Sequence, residues 1–260
     1  MRKLLPVLMV ISVIFFSTPV GASDPVPNVY FVDSAGSNFL FRGARPLIEE
    51  KGSPVKFNYK GLYNAIVSAG EKAGVTVPSN FTLIDVSLMW VDNPDESALI
   101  FAEYSFFKSY PELGQLHYWM TKGAKLSPAD PLFAASRDYR DYLAADIDSW
   151  LDDPLVFRVS LLREWLENPS KLGVTGPIVI YVHCYGGCDR TGELIGSYYL
   201  RYKNKSWEEV RALNGERCRP DRGYETDQCN ALQWYGLWLN LKFGRSLHWD
   251  SIPPCPTKRP

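Results

Sequence analysis

Histidine is scarce in this chain, three in 260 residues, and no two cysteines form a Cys-x-x-Cys pair. Zinc clusters built from those residues are therefore not expected, and neither a metal nor a cofactor is called for. Charge of one sign does not accumulate either: 28 Lys and Arg stand against 29 Asp and Glu, a formal net charge of -1. A general nucleic-acid binder needs a basic face, so nucleic acid is not an expected partner. Internal repeats, low-complexity tracts and interior linkers are also missing. What is present is a chain 46% hydrophobic and 14% aromatic, enough for one globular domain with a buried core.

The N-terminus reads differently from the rest. Arg2 and Lys3 precede an unbroken apolar run from Leu4 to Phe16 (Pro6 apart, all aliphatic or aromatic save Ser12), and small residues follow around Gly21-Ala22-Ser23. This is the layout of a secretory signal peptide, with cleavage expected after Ala22. Residues 1–22 are thus expected to be removed and 23–260 to form the domain. The run is shorter than the about 17–25 residues of a membrane-spanning helix, and no later segment is apolar enough to span. A secreted or secretory-lumen location is expected. The sequons Asn80-Phe81-Thr82 and Asn204-Lys205-Ser206 agree with export. The five cysteines, Cys184, Cys188, Cys218, Cys229 and Cys255, are odd in number, so four structural partners and one working thiol is the simplest division.

Tyr30-Phe31-Val32 and Phe39-Leu40-Phe41 read as two short strands around a turn. Leu62, Ile66, Ala69 and Ala73 form the stripe of a helix over Lys60–Lys72, and Phe81–Leu88 reads as a strand. Pro-bounded, aromatic-rich loops are expected from there to about Phe133. Tyr139, Leu143, Ile147 and Trp150 have near-helical spacing, which Asp152-Asp153-Pro154 breaks; Asp153 suits the N-cap and Pro154 the first position of a next helix. That helix would set Phe157, Leu161 and Trp165 on one face. Ile178-Val179-Ile180-Tyr181-Val182 fits a strand buried on both faces of a parallel sheet. A Gly-rich turn, a helix through Tyr198, a capping box at Ser206-Trp207-Glu208-Glu209 and a last helix from about Asn230 follow. The fold class expected is α/β, a mostly parallel central sheet flanked by helices.

The chemistry sits in His183-Cys184-Tyr185-Gly186-Gly187-Cys188-Asp189-Arg190-Thr191-Gly192. A strand delivering a loop into a helix N-terminus makes an anion site from backbone N–H groups and the helix dipole. Gly186 and Gly187 allow a tight backbone with room for an oxyanion. A thiolate at Cys184 would be stabilised by the same donors, and Arg190 offers a planar fork to phosphate oxygens. Tyr185, Gly186, Gly187, Cys188, Asp189 and Arg190 are the expected binding loop. Cys184 would attack phosphorus in line, Thr191 would donate its hydroxyl to the sulfur, and His183 would orient the loop through hydrogen bonds to backbone.

His-Cys-x5-Arg-Thr-Gly after a hydrophobic strand resembles the signature of cysteine-dependent tyrosine and dual-specificity phosphatases. The segment Asn38-Phe39-Leu40-Phe41-Arg42-Gly43-Ala44-Arg45-Pro46 is similar to the early Arg-Gly/Ser-x-x-Pro segment of dual-specificity members. The Asp-Arg-Thr ending also resembles the loops of myotubularin and Sac-type phosphoinositide phosphatases. The resemblance implies a tyrosine-phosphatase-like fold and a phosphocysteine intermediate. It implies phosphorylated protein as substrate, with a phosphoinositide or inositol phosphate as the alternative. It also implies a general acid some thirty residues before the cysteine, where Asp146, Asp148, Asp152 and Asp153 crowd. Trp150-Leu151-Asp152-Asp153-Pro154 resembles the Trp-Pro-Asp loop with Leu151 in place of the proline. Asp152 is the chosen acid, with Asp148 next and Asp189 a further candidate. Gln228 resembles the glutamine that positions water in tyrosine phosphatases. For Cys188, a reversible bond to Cys184 competes with a structural bridge to Cys218, Cys229 or Cys255. The rival functions are a sulfurtransferase or arsenate reductase with the same Cys-x5-Arg spacing, and an inactive phospho-binding module.

Overall fold

The computed structural model describes residues 26–124, 136–150, 153–218, 226–247 and Cys255. The segment read as a signal peptide and Asp152 lie outside these residues. In chain order the elements are β1 (Tyr30–Ala35), β2 (Asn38–Ala44), β3 (Leu47–Ile48), β4 (Lys56–Phe57) and α1 (Tyr59–Lys72). Next come β5 (Thr82–Ser87), α2 (Pro94–Ser109), β6 (Gly114–Tyr118), α3 (Arg137–Ala145), α4 (Ile147–Trp150) and α5 (Leu155–Glu167). The chain closes with β7 (Ile178–Cys184), α6 (Asp189–Tyr202), α7 (Trp207–Glu216) and α8 (Thr226–Phe243).

The main sheet has the order β1-β2-β7-β5-β6, with β3 and β4 forming a separate pair. β1 runs antiparallel to β2, and the remaining pairings are parallel. This is the α/β class expected, and β7 is central. Leu40 and Ile84 flank Ile180 in register on its two sides. Every residue of β7 is buried, as its β-branched run requires.

Alternation along β7 sorts its side chains into two cores. Ile178, Ile180 and Val182 pack with residues of α5, α6 and α8, among them Leu162, Ile195 and Trp234. Val179 and Tyr181 pack on the other face with Leu62 and Ile66 of α1 and Phe107 of α2. The same alternation turns His183 toward the α2 side and places Cys184 in the α6 core.

Three expectations are corrected. The stretch read as loops up to Phe133 contains α2 and β6. Asn93 caps α2 by accepting from the Asp95 N–H at 3.0 Å, and Pro94 starts it. Asp153 does not cap α5: its carboxylate is buried, lies 3.7 Å from Arg158, and accepts from the N–H groups of Lys122 and Gly123 at 3.3 Å each. On α5 the buried face is Leu155, Val159, Leu162, Trp165 and Leu166, whereas Phe157 is exposed. The capping box on α7 is present, Ser206 accepting from the Glu209 N–H at 3.2 Å and Glu209 from the Ser206 N–H at 2.7 Å.

Because Ile180 is wholly buried between both neighbouring strands and the α5/α6 layer, Ile180→Ala should reduce unfolding free energy by about 2–5 kcal/mol. Urea denaturation measures the loss.

Candidate active site

β7 ends at Cys184 and α6 begins at Asp189, so residues 185–188 form the loop. Gly187 has φ +72°, and a Cβ there would overlap the backbone of Gly43 and Ala44 on β2. Glycine is required on both counts. The fully buried Arg42 fastens the loop, donating through Nη2 to the Gly187 carbonyl at 3.0 Å and through Nη1 to Asn214 Oδ1 at 2.7 Å. Asn214 on α7 in turn donates to the Gly192 carbonyl at 3.1 Å. A disulfide from Cys188 to Cys218 ties the end of the loop to the segment after α7, and a second joins Cys229 to Cys255. Cys184 is the free thiol. Cys188 is therefore occupied by the structural bridge and not by Cys184.

Cys184, Tyr185, Gly186, Asp189 and Arg190 line one side of a pocket of about 560 Å³. Glu49, Trp90, Asn93, Asp95 and Glu96 line the other. The two ends of the Arg190 fork bond Glu96 at 2.7 Å each, and Nη1 also donates to the Leu88 carbonyl at 3.2 Å. The guanidinium lies 5.5 Å from the Trp90 ring centroid. Burial works to raise the Glu96 carboxyl, but hydrogen bonds and charge from Arg190, with the Trp90 N–H at 2.6 Å, outweigh it and hold the group below the usual carboxylate range. At the rim, Arg45 covers the exposed Tyr185 ring at 3.5 Å and pairs with Glu49.

Other expected residues stand elsewhere. His183 does not hydrogen-bond the loop backbone. Its wholly buried ring lies with Nε2 3.2 Å from Asp85 Oδ1 and 3.5 Å from Glu103 Oε1. Burial opposes a charge there, but the two carboxylates outweigh it and push His183 up to about 9. Burial pushes Glu103 up to about 8, with the Asp85 charge adding to it and His183 opposing. The buried Thr191 hydroxyl finds no hydrogen-bond partner, the Cys184 sulfur included. Gln228 is buried on α8, donates to the Lys122 carbonyl at 3.2 Å and does not line the pocket. Of the acid candidates, Asp146 and Asp148 are exposed around α4 and, like Asp153, lie outside the pocket lining, whereas Asp189 is in it. Arg42, Trp90, Asp95, Glu96, Asp85 and Glu103 went unrecognised as site residues. Asn93-Pro94-Asp95-Glu96, a helix-start pattern, was the available signal for two of these, Asp95 and Glu96.

No protein-family model matches the chain, and no curated protein matches it. Solved structures do. The core catalytic domain of the PP-IP phosphatase SIW14 from S. cerevisiae is 16% identical, the match covering 88% of this chain and 97% of that one with a TM-score of 0.42. The kinase associated phosphatase KAP, in a form with its catalytic-site cysteine changed to serine, is 15% identical over 88% and 98%, with a TM-score of 0.39. The Yvh1 phosphatase domain from Chaetomium thermophilum is 14% identical over 81% and 96%, with a TM-score of 0.31. Likeness this distant leaves the chemistry to be argued from this chain's own residues.

The buried ionisable groups tie stability to pH. Folding raises Glu103 from 4.5 to about 8 and His183 from 6.5 to about 9, and burial raises Glu193 in the same direction. A raised group contributes stability that is complete below its unfolded value and lost as pH climbs to its folded one. Melting temperature should therefore fall from about pH 4.5 to about pH 9, most steeply between about 6.5 and 8 where both groups contribute, and less steeply in Glu103→Gln. Calorimetry across that window measures it; a flat profile contradicts the assignment.

Proposed function

We propose that this chain is a cysteine-dependent phosphatase that hydrolyses phosphate monoesters through a phosphocysteine on Cys184. The observation that carries the reading is that Cys184, the free thiol, and Arg190 face one pocket from the two ends of a loop running into a helix N-terminus. In the first step the Cys184 sulfur forms a bond to phosphorus while the ester P–O bond breaks. The leaving oxygen keeps that electron pair and takes a proton from a carboxylic acid. In the second, that carboxylate takes a proton from water as its oxygen attacks phosphorus, the S–P bond breaks with its electron pair returning to the Cys184 thiolate, and inorganic phosphate leaves. Charge on the equatorial oxygens is met by Arg190 and by the loop N–H groups at the start of α6. Glu96, held ionised by Arg190, orients the guanidinium and is a poor proton donor.

Asp152 is the acid proposed from the sequence. Among the described residues, Asp95 and Asp189 also bring carboxylates to the pocket lining. The substrate proposed is a phosphorylated protein, at tyrosine or at serine and threonine. Trp90 and Tyr185 offer aromatic walls to a side chain, and among the described residues four carboxylates beside one lining arginine, with Arg45 at the rim, suit one phosphoryl group better than several. An exported protein is proposed as well. The N-terminal pattern supports it, as do two disulfides, which persist in oxidising compartments. Both sequon asparagines, Asn80 and Asn204, are exposed. No helix of the described residues is long and apolar enough to cross a membrane.

With an aryl phosphate as substrate, Cys184→Ser should abolish turnover and Arg190→Met should lower kcat/KM by at least ~10²–10³-fold. Arg190→Met should also destabilise the fold, because it leaves Glu96 buried without its cation. Near-native turnover by Cys184→Ser ends the reading. An Asp→Asn scan at 152, 95 and 189 should show one dominant loss of ~10²–10⁴-fold. That loss should shrink for phosphates whose leaving group needs no proton.

A further inference from the structure

Behind the loop lies a set of buried ionisable side chains that the two-step reaction leaves unused. Asp85 comes from β5, Glu103 from α2 and His183 from β7, and all three are wholly buried. The His183 Nε2 sits 3.2 Å from one carboxylate and 3.5 Å from the other. Among the described residues His183 is the sole cation in ion-pair contact with either acid. Two buried carboxylates without a counter-charge would be costly, so the cluster must keep protons, and the imidazole between them is the place for the first. That imidazole belongs to the residue before Cys184. We propose that Asp85 and Glu103 are positioning residues that hold His183 as a fixed cation next to Cys184, on the α2 side of the sheet.

The surroundings carry the same sense. Asp85 also faces His117 of β6. Glu103 faces Ser87 of β5 and, along its own helix, Glu96. The Tyr181 ring stacks on the His183 ring at 5.6 Å, and Arg42 of β2 and Cys184 act on that phenol. The shifts of Glu103 to about 8 and of His183 to about 9 match one proton on each near neutrality. The cluster gains negative charge as pH passes through those values. Negative charge behind an anion cradle opposes both a thiolate and a bound phosphoryl group. Turnover should fall on the alkaline side for that reason. This consequence rests on the phosphatase reading; the charge on His183 does not.

Three readouts on the full-length mature protein test it. In the wild type, imidazole NMR should show the His183 ring doubly protonated at pH 7.5, which needs no variant to fold. In Asp85→Asn, the pH midpoint for iodoacetamide alkylation of Cys184 should move up by ~1–3 units, the size of effect expected when a charge partner is removed nearby. In Glu103→Gln, the alkaline fall in kcat/KM, scaled to the variant's own maximum, should become shallower, with one ionisation in place of two. A His183 ring titrating near its ordinary ~6.5 overturns the proposal. So do an alkylation midpoint that does not move in Asp85→Asn, an alkaline fall of unchanged steepness in Glu103→Gln, or a stoichiometric metal ion in the purified protein, which would make His183 a neutral ligand. Absence of aryl phosphate turnover in every form, with the NMR and alkylation results as expected, would remove the phosphatase reading and leave the cluster's role in place.

Discussion

A single buried cation decides where the reactive loop lies. Arg42 leaves β2 beneath the loop and binds the Gly187 carbonyl and the Asn214 side chain. A guanidinium is weakly hydrated and presents donors in a rigid fork, so it tolerates such a position where lysine would not. Its two bonds join β2, the loop and α7, and Asn214 extends the tie to the first turn of α6. Gly187 lies so close to the backbone of Gly43 and Ala44 that a side chain on it would not fit. Parallel pairing of β2 with β7 brings Gly43 level with His183 and Ala44 level with Cys184. The sheet register therefore positions the loop before any side chain in the pocket acts.

The second organising element is α2. Its buried residues are Glu96, Leu99, Glu103 and Phe107, one stripe at helical spacing that is half acidic. Glu96, in the first turn, holds Arg190 on the pocket side. Glu103, two turns on, reaches His183 beneath the sheet end. One helix thus supplies a carboxylate to each of the two basic groups of the His-Cys-x5-Arg segment. Both acids are unfavourable as isolated buried charges, and each is compensated by the partner that the loop and strand provide.

That arrangement also explains what could be read from the sequence and what could not. The β-branched run of β7, the glycines after it and the caps of α7 announce local structure, because their signals lie within a few residues of their effect. Cys184 and Arg190 were legible for the same reason. α2 was not, since its inward stripe contains two glutamates while Phe101 and Tyr104 point to solvent, the reverse of an amphipathic pattern. Arg42 stood in a recognisable segment, but its partners lie 145 and 172 residues away. Asp153 looked like a cap because of Pro154 next to it, yet its carboxylate serves the chain at Lys122 and Gly123 instead. Pairings over such separations leave no periodicity to find.

The central claim is that the Cys184 sulfur bonds to phosphorus during turnover. Rapid acid quench of the enzyme with a radiolabelled aryl phosphate, followed by peptide mapping, tests it most directly. The account predicts label on the peptide containing Cys184, released by water as the enzyme turns over. Label on another residue, or turnover with no labelled peptide and direct transfer to water at every time point, would contradict it.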